Sequence, residues 1–167
     1  IGPLRPEVPV LQPGSTYLLE VVSRNLGTGH AFTQGTVDSN EIWLDVTVRA
    51  GGEVIARSGS IDQDGVVDPW AYRLNAFVVD EEGHRVENRA PERIFTSVYD
   101  HQVPPGAAAV THYRLVLPEE ITSEIEIDVA IRYRKFDHAL MKFAYGESEG
   151  GRMLRKLPAM VVASDTV

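Results

Sequence analysis

Histidines and aspartates are the residues in this chain whose setting bears on chemistry. The stretch Gly27-Thr28-Gly29-His30-Ala31-Phe32-Thr33-Gln34-Gly35-Thr36 puts an imidazole and an aromatic ring inside a glycine-rich crossing. Glycines allow positive φ and a tight path. An imidazole presented there could bind a metal or a haem iron if its other nitrogen had a hydrogen-bond partner. The same residues also suit a structural role, with Phe32 closing the end of a core and His30 bonding to backbone. A second constellation is Asp62-x-Asp64-Gly65-x-x-Asp68. Ca²⁺ takes six to eight oxygens, and alternate carboxylates about a glycine can supply part of that set. The EF-hand pattern fails here, because Val66 and Arg73 stand at its fifth and twelfth positions. The alternative is an Asx-type turn, in which aspartates accept backbone N–H groups.

Other chemistry has less support. Glu81-Glu82 and Glu119-Glu120 lie beside turns, where solvation explains them better than a glycosidase pair held across a cleft. His84, His101, His112 and His138 are scattered, and no H-x-H, H-E-x-x-H or G-x-S-x-G spacing occurs. The expectation is a chain that is not an enzyme. With no cysteine there is no disulfide, thiolate metal site or C-x-x-C-H attachment, so no haem is covalently bound. The net charge of −8 opposes nucleic acid as a partner. No apolar run approaches the ~20 residues of a transmembrane segment. The chain opens at Ile1 without a visible signal peptide, which reads as a processed product or a piece of something longer.

The elements that must position these residues are mostly strands. Residues 1–14 carry four prolines and read as an extended lead-in to a single β-sandwich domain over residues 15–167. Strands are expected at Thr16–Arg24, Ile42–Arg49, Val54–Arg57, Tyr72–Asp80, Arg93–Asp100, Val110–Leu117, Ser123–Arg134 and Ala159–Ala163. In Ser123–Arg134, Ile125, Ile127, Val129, Ile131 and Tyr133 alternate with charged residues, which predicts one buried and one wet face. Phe136–Tyr145 reads as one short helix capped by Asp137 and stopped by Gly146, with a polar loop after it. Eight or nine short strands with at most one helix predict an all-β antiparallel sandwich of Greek-key, Ig-like type. Arg132 and Arg134 form a basic end to the best strand. They could meet an acidic partner, or be paired by the chain's own acids.

Several of these pieces, in order, resemble a β domain at the C-terminal end of multihaem c-type cytochromes. The resemblance rests on the G-x-G-H-x-F-x-x-G-T crossing and the strand opening Trp43-Leu44-Asp45-Val46-Thr47-Val48. It also rests on Ser58-Gly59, the Asp62–Asp68 loop, the Pro104-Pro105-Gly106 turn and the Tyr133-Arg134-Lys135-Phe136 end. It spans about Tyr17 to Phe136. In that family the crossing reads G-H-x-F-P-T-G, whereas Thr33-Gln34 stands here for Pro-Thr. The resemblance implies a non-catalytic accessory domain of a periplasmic or other extracytoplasmic electron-transfer protein. Its partner would be a haem-bearing domain, and His30 would be the residue touching a haem or metal of that neighbour. The rival expectation is a calcium-stabilised sandwich that binds a protein or glycan, with Asp62, Asp64 and Asp68 on the ion and Trp43 or Trp70 as anchor. Phe32, Trp70, Arg132 and Arg134 are the interaction candidates.

Overall fold

A computed structural model describes Leu4 and residues 7–33 and 35–167 of the chain. Residues 1–3, 5 and 6 of the proline-rich lead-in, and Gln34 of the crossing, lie outside the described residues. The strands are β1 (Thr16–Arg24), β2 (Glu41–Ala50), β3 (Glu53–Ser58), β4 (Ala76–Val79), β5 (Thr96–Asp100), β6 (Ala108–Val116), β7 (Ile125–Arg134) and β8 (Met160–Thr166). Two helices, α1 (His138–Tyr145) and α2 (Glu147–Leu154), stand between β7 and β8. All pairings are antiparallel, in a four-stranded sheet ordered β3-β2-β7-β8 and two ribbons, β1-β6 and β4-β5. The fold is all-β and sandwich-like. No helix among the described residues is long and apolar enough to cross a membrane.

β2 is the spine of this arrangement. Its β-branched and aromatic residues suit a pleated surface, and Gly51 and Gly52, at φ 58° and 87°, turn it into β3 with the twist that a tight hairpin needs. One face of β2 packs toward the β1-β6 ribbon. Leu44 and Val46 meet Val21, and Val48 meets Leu115, Leu117 and Ile127. Ile42 joins Leu74 and Val103 at the end where the crossing lies. The opposite face is covered too. Trp43 is fully buried against Val67 and Ala71, with Ala159 alongside.

Two expectations are corrected. The outward face of β7 is not wet along its whole length, because Arg134 is only 1% exposed. The segment between β3 and β4 folds over that end of the sheet, and the Gly65 carbonyl accepts a hydrogen bond from Arg134 Nη1 at 2.6 Å. There are also two helices rather than one. Asp137 caps α1 by accepting the Leu140 N–H at 2.8 Å, and Gly146 ends it at φ 83°. The polar stretch after Gly146 then forms α2, despite its adjacent glycines. Gly150 is buried against α1, where a Cβ would lie 2.7 Å from Lys142 Cα, so tertiary packing overrides weak propensity.

Gly59 has a stricter requirement. Its φ is 84°, and a Cβ there would stand 2.1 Å from the Leu44 carbonyl oxygen. Gly59→Ala is expected to destabilise the protein by about 3 kcal/mol or more, since backbone must move in a packed sheet. Urea unfolding checks this, and a loss below about 1 kcal/mol would count against a fixed approach of this loop to β2.

Candidate functional site

The crossing is organised by Asn25, a buried residue just past β1. Its Nδ2 donates to the carbonyls of His30 (3.0 Å) and Val103 (2.9 Å). Its Oδ1 accepts from the Thr28 N–H (3.1 Å) and the Thr28 hydroxyl (2.6 Å). Its own backbone pairs with Ala107 and Gly106. One amide side chain therefore joins the crossing to the segment that opens β6. Phe32 forms an isolated bridge with Val103 and packs, half-buried, on the Ile42–Leu74–Val103 cluster.

His30 stands at the exposed top of this braced loop. Its Nδ1 lies 2.9 Å from the Ala31 carbonyl oxygen. A carbonyl can only accept, so Nδ1 carries the proton, and in the neutral ring the Nε2 lone pair is left available. This is the arrangement of a metal-ligating histidine whose orientation is set by a backbone carbonyl. As a stitch it is weak, because the bond reaches only to the adjacent residue and lies in solvent.

The other predicted residues gather on the covered face of the four-stranded sheet or near it. Arg134 Nε donates to Glu41 Oε2 at 2.9 Å, and its Nη2 donates to the same oxygen. Arg132 Nε donates to Asp45 Oδ2 at 2.6 Å, and Arg57 and Arg73 approach Asp45 and Glu41 at 3.6 and 3.3 Å. Both predicted arginines thus spend their charge within the chain. In the acidic loop, Asp62 Oδ1 accepts the N–H groups of Asp64 (2.9 Å) and Val66 (2.8 Å). Asp68 accepts those of Gly59 (3.1 Å) and Trp70 (2.9 Å). Asp64 faces Arg155 at 3.5 Å. These are Asx turns that seat Val67 on Trp43 and aim the Gly65 carbonyl at Arg134. Trp70, beside them, is 90% exposed, whereas Trp43 is wholly inside and donates its indole N–H to the Gly59 carbonyl at 2.9 Å.

Among the described residues, three carboxylate or imidazole ligand atoms converge elsewhere, at Asp80, Glu82 and His84, all within 4.8 Å of one another. The sequence places Glu81 and Glu82 only beside a turn. An acid-x-acid-x-His spacing was the available signal. Asp80 is already engaged there, accepting from His84 N–H (2.7 Å) and from Arg93 (2.5 Å). Burial opposes its ionisation, but these two donors and the nearby positive charges hold its carboxyl below the ordinary range. A shallow concavity lies at the other end of the sheet, lined by Arg49, Gly51, Gly52, Ser123, Glu124 and Glu126, and no nucleophile–base pair lies in it.

No known family model matches the chain, and no curated protein matches it. A solved structure does. It is the penta-haem cytochrome c552 from Thermochromatium tepidum, at a TM-score of 0.61 and 19% identity over 90% of this chain. The fold is similar to part of that cytochrome. The match takes in 35% of the cytochrome's length, so this chain spans about a third of it.

Two predictions follow from the geometry. Asn25→Ala is expected to cost about 2 kcal/mol by removing the side-chain hydrogen bonds that tie the crossing to Val103 and Thr28, whereas His30→Ala costs less than about 1 kcal/mol. Thermal unfolding of the two variants compares them directly, and equal losses would mean that His30 is structural. The second concerns Asp137, whose carboxyl burial pushes up to about 6, partly offset by the Leu140 N–H and reinforced by the charge of Glu41. The folded protein therefore holds a proton that the unfolded chain releases near pH 4, so this group's contribution is largest below that pH and declines as pH rises to about 6. Asn keeps the cap without the charge. Asp137→Asn should match the wild type near pH 4 and exceed it by up to about 3 kcal/mol above pH 7. A difference that stays flat across that range would contradict the assignment.

Proposed function

We propose that this chain is a non-catalytic accessory domain of an extracytoplasmic multihaem electron-transfer protein, placed beside a haem-bearing part to which it presents His30. The observation that carries this reading is the likeness of 90% of the chain to a stretch making up 35% of a penta-haem cytochrome. The His30 ring supports it, since Nδ1 is engaged by the Ala31 carbonyl and the exposed ring sits on a loop braced by Asn25. The chain has no cysteine, so it binds no c-type haem covalently, and any haem it meets belongs to a neighbour.

His30 fits a haem iron with an open axial position. The haem supplies the redox chemistry when bound, and an axial ligand tunes its potential. The part played by this chain is to hold the imidazole in one tautomer, through Ala31, and in one place, through Asn25. Apolar surface from the chain would also keep water from the haem edge.

A haem c peptide with one vacant axial site tests the ligand role by optical titration. Wild-type protein is expected to convert it to a six-coordinate, low-spin spectrum, and His30→Ala is expected to weaken that conversion at least about tenfold. Unchanged binding by His30→Ala would assign the effect to one of the other histidines and remove His30 from the reading.

A further inference from the structure

The β1-β6 ribbon packs on the core with one face only. Its outer face presents Leu18 and Val22 from β1 and Val110 and Val116 from β6, each 48–66% exposed. The register sets Val22 opposite Val110, and Val116 one step from Leu18. Between these two apolar pairs, Glu20 and His112 satisfy each other at 2.8 Å. Arg24 lies at one end, opposite Ala108, and Arg114 lies opposite Leu18 toward the other. Neither arginine forms an ion pair with a carboxylate among the described residues, although the chain carries 24 acids. Isolated exposed valines are ordinary, but a flat apolar strip with a free guanidinium toward each end is the anatomy of a protein interface.

We infer that this outer ribbon face is the surface that docks onto the haem-bearing part. The inference rests on the accessory-domain reading and adds the location of the contact. Three observations choose the occupant. From Arg24 to Arg114 the strip runs about 20 Å, at ~3.4 Å per strand residue, which is the reach of a protein surface rather than of one small ligand. A second copy of this chain would set arginine against arginine, with Glu20 already held by His112. A haem-bearing surface offers the complementary pattern, with apolar porphyrin edges and ionised propionates. The strip is also continuous with the crossing, because Asn25 follows Arg24 directly and its N–H bonds the Ala107 carbonyl next to Ala108. His30 and the ribbon face can therefore meet the same partner.

The absence of cysteine provides the test. Leu18→Cys, Val110→Cys and, as a control on the β8 edge, Val161→Cys each give this chain a single thiol. Maleimide labelling rates are compared between the chain alone and the full polypeptide of its natural reading frame, in which haem cysteines are already alkylated. Labelling at 18 and 110 is expected to slow at least about tenfold in the full polypeptide, with 161 unchanged. Adding Arg24→Glu and Arg114→Glu should restore most of the rate. A reading frame without C-x-x-C-H motifs overturns the accessory reading, and with it this occupant. Slowing at 161 but not at 18 or 110 overturns the ribbon face and leaves the accessory reading standing. Slowing that depends on the concentration of the isolated chain makes the occupant a second copy. Slowing that requires added phosphatidylglycerol vesicles makes it a membrane. Either result overturns the inference, as does no slowing at any position.

Discussion

The hydrogen bond from the Trp43 indole to the Gly59 carbonyl decides what kind of sheet this is. A sheet with one wet face would leave Trp43, Glu41 and Arg134 in water. Here the chain leaving β3 turns sharply at Gly59 and is held against β2 by that bond. The loop that follows then lays Val67 over the indole and the Gly65 carbonyl over Arg134. Burying a guanidinium is costly unless its donors are used and its charge is answered. Glu41 and Gly65 do both. The covered face is therefore a consistent unit in which the glycine, the tryptophan and the ion pair each require the others.

That unit also engages several of the residues that the sequence singles out. Arg132 and Arg134, the most basic feature of the sequence, are turned inward to Asp45 and Glu41. The aspartates of the loop accept backbone N–H groups rather than converging on a point. His30 on the crossing and the outer face of the β1-β6 ribbon lie outside that unit and are exposed. The result is a scaffold whose strongest ion pairs are internal, with a braced loop that presents one imidazole.

The strands were legible because their alternation reports burial directly. β1 occupies the expected span, and β7 shows its apolar face at Ile127 and its neighbours. The second buried face of β2 was not legible. Asp45 and Thr47 alternate with the apolar Leu44, Val46 and Val48, and only the three-dimensional path of the loop after Gly59 reveals what covers their face. α2 was hidden for a related reason, since Gly150 lowers local propensity while making the close contact with α1 that stabilises the helix. In the site, the position of His30 in the crossing was visible, but its tautomer was not, because that depends on where the Ala31 carbonyl points. The bracing by Asn25 was missed as well, since an asparagine at a strand end carries no mark of partners 78 residues away.

Those long separations have a kinetic consequence. Glu20 meets His112 across 92 residues of chain, and Glu41 meets Arg134 across 93. Apart from the β2-β3 and β4-β5 hairpins, no pairing in the larger sheet or the outer ribbon can form until β6 and β7 have been made. Topologies of this kind fold slowly, because loop closure must precede the contacts that reward it. During synthesis β1 waits unpaired and β2 has only β3 beside it, until β6 and β7 emerge. The nascent domain is thus most vulnerable to aggregation just before β6 and β7 appear.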